Sequence, residues 1–215
     1  MYEARGWYTE KIAQVTMKNL EKNGFTAFYV SSKQEALEKV LEMIPADARV
    51  GMGGSVTIRE IGLPKALVER GNYVADHWRL GLSAEESRDI RRSCFTSDYF
   101  LSSTNAVTMD GKLLNADGTG NRVAAMIFGP KKVIIVAGVN KIVKDADEGL
   151  RRIRDIASPL NANRLGSKSP CGLTGMCIED RCEPPERLCN IITIIEKRPH
   201  ETDTTVVLVG ETLGY

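Results

Sequence analysis

The sequence predicts an α/β fold, a mainly parallel sheet with helices on both faces, held in one domain spanning residues 1–215. Three observations lead there. Stretches with helical periodicity alternate with short apolar runs along the chain. The run Lys132–Ala137 (KVIIVA) is almost wholly apolar, as a strand covered on both faces requires. Four of the five cysteines crowd into residues 171–189, which reads as a cysteine-rich insertion near the C-terminus. No internal repeat, low-complexity tract or linker interrupts this plan.

Taken in order, Ile12, Val15 and Leu20 predict a helix from Tyr8 to about Asn23, stopped by Gly24 in a C-cap place. Phe25–Val30 predicts a strand. Ser32-Lys33-Gln34-Glu35 has the form of a capping box, opening a helix whose stripe is Ala36, Leu37, Val40, Leu41 and Ile44. Ala48–Met52 predicts the next strand, followed by the loop Gly53-Gly54-Ser55. Thr57-Ile58-Arg59-Glu60 reads as a second capping box, for a helix reaching Glu69. Tyr73–Ala75 predicts a strand, and Ser83-Ala84-Glu85-Glu86 caps a helix running towards Cys94.

Asp98–Ser103 predicts a further strand. Asn105–Thr108 and Lys112–Asn115 flank Asp110-Gly111, which predicts a hairpin on a type I′ turn, an antiparallel excursion from the parallel plan. Helices are expected at Arg122–Phe128 and Asp145–Ala157, the latter with Ile153 and Ile156 on one face. Ile191–Ile195 and Thr205–Val209 supply two late strands.

Twenty-nine Lys and Arg face 28 Asp and Glu, interleaved along the chain, so nothing in the charge points to nucleic acid or an anionic membrane surface. No run of about 18 apolar residues and no signal-peptide pattern is present, which predicts a soluble, cytoplasmic protein. Its cysteines are then expected to be reduced.

Cys171, Cys177, Cys182 and Cys189 provide four thiolates, the right number for tetrahedral zinc or one iron–sulfur cluster. Gly172, Gly175, Pro184 and Pro185 disfavour regular structure there, leaving a loop that a metal would order. The alternatives are free thiols or a redox disulfide, since no pair has the spacing of a zinc ribbon or a ferredoxin. Cys94 reads as a core thiol.

Two polar loops are candidate ligand sites. Gly53, Gly54, Ser55 and Thr57 sit between a strand and a helix, where unpaired backbone N–H groups favour an anion. Capped glycine-rich turns of this kind also occur with no ligand, and no nucleotide fingerprint is present. The second loop carries Asn105, Asp110, Asp117, Gly118, Gly120, Asn121 and Arg122. Arg122 can fork onto a carboxylate or phosphate, oriented by Asn105 and Asn121; alternatively Asp117 caps the next helix and Arg122 is solvated. No catalytic residue is assigned. His77, near a strand's C-terminal end, is a conceivable site residue, His200 reads as surface, and Glu60, Asp110 and Asp117 are the available acids.

The stretches Ser103–Gly111, Asn115–Ala124 and Phe128–Val143 resemble the lactate-utilisation (LUD) domain, and Gly53–Thr57 fits the same family. The tail Arg187-Leu188-Cys189-Asn190 is similar to that of its stand-alone, cysteine-bearing branch. This resemblance implies a fold like the ribose-5-phosphate isomerase, glucosamine-6-phosphate deaminase and CoA-transferase group. It also implies a setting in organic-acid metabolism, where partner proteins carry iron–sulfur clusters and L-lactate is oxidised to pyruvate. The chain lacks the repeated ferredoxin-type cysteines of such a partner.

Three readings follow. The first is a protein that binds a small anionic metabolite, a carboxylate or phosphate ester, with a four-cysteine metal site beside it. The second is an isomerase, hydrolase or transferase acting on a phosphorylated or CoA-linked substrate. The third is a non-catalytic accessory or redox-sensing subunit that contacts an iron–sulfur protein partner. A homodimer is compatible with all three.

Overall fold

The computed structural model describes residues 2–215. Helix α1 (Tyr2–Lys22) leads through β1 (Thr26–Val30), α2 (Lys33–Met43), β2 (Arg49–Met52), α3 (Val56–Glu60), α4 (Leu63–Glu69) and β3 (Tyr73–Ala75). There follow α5 (Ala84–Ser93), β4 (Tyr99–Ser102), β5 (Ala106–Thr108), β6 (Leu113–Asp117), α6 (Asn121–Phe128), β7 (Lys132–Gly138) and β8 (Ile142–Val143). Beyond them lie α7 (Ala146–Arg152), α8 (Ser158–Arg164), α9 (Pro170–Thr174), β9 (Ile191–Ile195) and β10 (Asp203–Val209).

Six strands form one sheet in the order β1-β10-β7-β4-β2-β3, every neighbouring pair parallel. The sequence alternation shows why both faces are covered. In β7, Val133, Ile135 and Ala137 enter the core beside Ala13 and Leu20 of α1 and Met126 of α6, whereas Ile134 and Val136 enter the one beside Ala36, Val40, Leu63 and Leu67. Strand β10 divides the same way, Val206 and Leu208 to one side, Val207 and Val209 to the other.

The 105–115 hairpin is antiparallel and departs from the parallel plan, as expected. It belongs to a second sheet of order β8-β5-β6-β9, in which β9 pairs antiparallel with β6. Ala106, Leu114, Val143 and Ile153 pack it against α7. Its turn is not type I′, because that turn needs a positive φ at both central residues and only Gly111 has one (85°). The Gly111 N–H donates to Thr108 O, closing a type I turn that ends in a left-handed glycine. A Cβ on Gly111 would also meet the Asn19 backbone at 2.5 Å, so glycine lets the hairpin close onto α1, where Asn19 Nδ2 donates to Met109 O (2.8 Å).

Other departures from the sequence reading have local causes. Ser55, not Thr57, caps α3, accepting from the Ile58 N–H, and the expected long helix breaks at Gly62 (φ 80°) ahead of Pro64. Among the described residues of α1, Ala13, Thr16 and Leu20 are buried, while Val15 faces solvent. Ile156 is 45% exposed although Ile153 is buried, because residues 153–157 form a π-helical turn that rotates the next residues off the expected face. The helical path then continues through Pro159 to Arg164.

Candidate functional site

Four strands of the main sheet end at one cavity of about 420 Å³. Past β2 it is lined by Gly54, Ser55 and Thr57, past β3 by His77 and Trp78, past β4 by Ser103 and Asn105, and past β7 by Lys141. The carboxyl ends of parallel strands are where an α/β sheet presents its loops to a ligand. Asp117 and Gly118, at the end of β6, face them from the second sheet, and Ser158, Asn161 and Arg164 do so from α8. The π turn delivers that last group.

Lys141 is the residue that sequence reasoning missed. It is 2% exposed, and its Nζ donates to Thr57 Oγ1 (2.8 Å) and Ser103 Oγ (2.9 Å). Both hydroxyls spend their own protons on backbone carbonyls, of Leu213 and Thr104. No carboxylate forms a salt bridge with Lys141 among the described residues. Burial, then the Arg152 and Arg122 guanidiniums, pull its pKa down to about 7, with Glu60 opposing them. A neutral amine keeps both N–H bonds and presents a lone pair at its third position; an ammonium presents a third N–H there. The only sequence signal was a lysine just beyond the most apolar strand.

Arg122 holds the facing wall together. Its Nε donates to Asp117 Oδ1 (2.9 Å), Nη1 to Ser103 O (2.9 Å) and Asn115 Oδ1 (2.6 Å), Nη2 to Asn105 Oδ1 (3.0 Å) and Ala116 O (3.1 Å). All five guanidinium donors are thereby committed to protein. The other Asp117 oxygen accepts the Val123 N–H, so this carboxylate both pairs with Arg122 and caps α6. Arg122 is neither solvated nor free to fork onto a ligand in this arrangement. Asn105 orients it; Asn121 lines the cavity beside it.

The rim is built differently. Trp78 lies between Arg59 (4.5 Å from the ring centroid) and Arg164 (4.2 Å). Asp76 fixes one side, accepting from Arg59 Nη2 (2.6 Å) and from the Trp78 N–H (2.9 Å). A Cβ on Gly54 would strike the Trp78 ring at 2.9 Å, so this glycine lets the indole close onto the loop. Arg164 donates to Tyr215 Oη (2.6 Å) and Asn161 Oδ1 (2.8 Å), and Arg91 only to Ser87. Neither has a carboxylate partner among the described residues. His77 has a buried, unpartnered Nδ1, and burial followed by Arg91 pulls its pKa down, so it is neutral at pH 7.

Of the remaining candidates, Gly53 and Gly120 lie behind the lining rather than in it. A Cβ on Gly53 would press on Ser102 and Arg122, and one on Gly120 on Ile191. Asp110 is in the hairpin against α1, bonded to Thr108 and paired with Lys112, outside the cavity. Glu60 accepts the Gly214 N–H (2.6 Å), His200 is exposed, and Cys94 is buried in the core.

The cysteine segment forms part of the cavity wall through Leu188 and Cys189, and Asn190 Nδ2 ties it to Gly118 O (3.1 Å). Cys171 is buried on α9, Cys177 is exposed, and Cys182 and Cys189 are half-buried. Burial first, and the neighbouring Cys171 next among the other thiols, push the Cys177 and Cys182 thiols up; Cys189 rises with burial despite its Ser158 contact (2.9 Å). Among the described residues, no group of three or more His, Cys, Asp or Glu side chains is placed to hold a metal ion. Cys171, Cys177, Cys182 and Cys189 nevertheless lie near enough for the charge of one thiol to act on its neighbours.

The LUD domain profile matches residues 13–209, nearly the whole chain. The chain belongs to the LUD domain family. A crystal structure of a DUF162 family protein from Deinococcus radiodurans is similar to this LUD protein over 94% of this chain and 98% of that one, with a TM-score of 0.53 and 15% identity. At that identity the likeness shows a shared fold alone. No curated protein matches the chain. Among the described residues, no helix is long and apolar enough to cross a membrane.

Proposed function

We propose that this LUD protein binds a small organic anion of the lactate type in the cavity, and that Lys141 attracts the anion and takes up a proton as it binds. One observation carries this reading: a lysine buried at the cavity floor, held by two hydroxyls and no carboxylate. Burying that amine as a cation is costly, and an anion arriving at its third position supplies the missing counter-charge. Arg152, buried behind it and donating to Asn140 O and Asn105 O, adds to the positive field. Family membership supports a role in lactate-type metabolism.

The chemistry available at the floor is proton transfer. With the amine neutral, its lone pair takes up a proton from solvent as the anion binds, and the ammonium so formed donates its third N–H to the ligand's negative oxygen. Burial makes both interactions stronger than in water. The cysteine segment enters this reading as a wall. Whether its thiols also take zinc or an iron–sulfur cluster is decided by metal and acid-labile sulfide analysis on protein purified without oxygen.

Calorimetry with lactate and pyruvate tests the proposal. Binding of either, accompanied at pH 8 by uptake of a proton in buffers of differing ionisation enthalpy, is the expected result. Lys141→Met should abolish the proton uptake and weaken binding by roughly tenfold to a hundredfold, the range of a charge-assisted hydrogen bond. Undiminished binding by that variant, or no binding by the native protein, overturns it.

A further inference from the structure

Resting on that reading, we infer that the physiological ligand carries two anionic groups: a carboxylate at Lys141, and a second carboxylate or phosphate ester held at the rim by Arg91 and Arg164. The argument is an account of guanidinium donors. Arg122 has none left. Arg164 uses Nε and one Nη2 proton, and Arg91 uses Nε and one Nη2 proton, so each keeps its Nη1 group and a further N–H uncommitted. Both residues line the cavity.

The floor and the rim are separate electrostatic neighbourhoods. The charges acting on Lys141 are Arg152, Arg122 and Glu60; those acting on His77 are Arg91, Asp76 and Arg59. In the lining, Asp117 is the sole acidic side chain, and it is spent on Arg122 and the α6 N-terminus. Three cations, Lys141, Arg91 and Arg164, are therefore left facing about 420 Å³, a volume suited to a ligand well beyond a three-carbon acid. A monoanion at the floor leaves the rim uncompensated. Packing on Trp78 holds the Arg164 guanidinium in place, and its uncommitted Nη1 group and remaining N–H can meet a planar or tetrahedral anion in two contacts.

The test compares lactate with two ligands that carry a second anionic group (dianions in that sense): malate, which adds a carboxylate at the methyl carbon, and 3-phosphoglycerate, which adds a phosphate ester there and keeps the 2-hydroxyl. At low salt, one or both dianions should bind roughly tenfold or more tightly than lactate. In Arg164→Gln and in Arg91→Gln the ratio of dianion to lactate affinity should fall towards one, with Arg164→Lys recovering part of it through the point charge. Whichever dianion shows the larger ratio identifies the second group. Equal affinity for lactate and both dianions overturns this inference and leaves lactate binding standing. A dianion advantage that survives both glutamine variants also overturns it. If lactate, pyruvate and both dianions all fail to bind, the proposed function falls with it. Melting curves of each variant confirm that a lost ratio is not a lost fold.

Discussion

The two walls of the cavity use the same side chain in opposite ways. On the inner wall, Arg122 gives every N–H to Asp117, Asn105, Asn115 and two carbonyls, so its charge is neutralised and its geometry fixed before any ligand arrives. On the rim, Arg91 and Arg164 donate to neutral partners alone among the described residues and keep donors in reserve. An arginine in a site is thus assigned by counting its unspent donors rather than by its presence. The inner wall is a fixture; the rim and the Lys141 floor are where a ligand changes something.

Arg122→Ala should be the most damaging change to the protein itself. It strands buried Asp117 without its partner, and a loss of about 3–5 kcal/mol is expected in denaturant titration. If that variant unfolds at the native midpoint and loses only ligand affinity, the contrast between the walls is broken. Lys141→Met should do the reverse, abolishing most ligand binding while leaving the fold intact.

The pH dependence sharpens the same contrast. Lys141 titrates near 7 when folded, below the ordinary 10.5 that applies in the unfolded chain. Above pH 7 the unfolded state holds more protons than the folded one, so stability should rise with pH from about 7 towards 10.5. Below 7 both states are protonated and this contribution is flat, at the full cost of the buried charge. Thermal melts across pH 6–10 should show that slope in the native protein and lose it in Lys141→Met. Anion affinity should run the other way, weakening above pH 7 by up to about tenfold per unit as the amine loses its proton. Smallest of all, Arg164→Gln should change stability by under about 1 kcal/mol, the scale of an exposed cation–π contact, despite its effect on the ligand.

Much of the architecture was legible because it rests on local rules. The apolar run in β7 announced a strand covered on both faces, and the Ser32 and Ser83 caps marked α2 and α5 where they occur. The loops from Gly53 and from Asn105 were legible as polar clusters between periodic segments, and most of their residues do line the cavity. What was not legible depends on distant pairing. Nothing around Lys141 says that Thr57 and Ser103 will receive its amine, 84 and 38 residues away. The Arg59–Trp78–Arg164 stack likewise joins three segments with no common motif. The hairpin was legible as an antiparallel departure from the parallel plan, but the second sheet it belongs to was not, because its partners β8 and β9 lie far along the chain.

The place of β10 bears on how the protein is made. Residues 203–209 occupy an interior position between β1 and β7, and β1 has no other neighbour in the sheet. During synthesis, β1 waits for residues 203–209 before it can pair in this sheet. The nascent chain therefore presents an unpaired β1 and the bare flank of β7 until β10 has emerged. Assembly of this sheet is a late event, exposed in the interval to wrong edge pairing, and chaperone demand should be concentrated there.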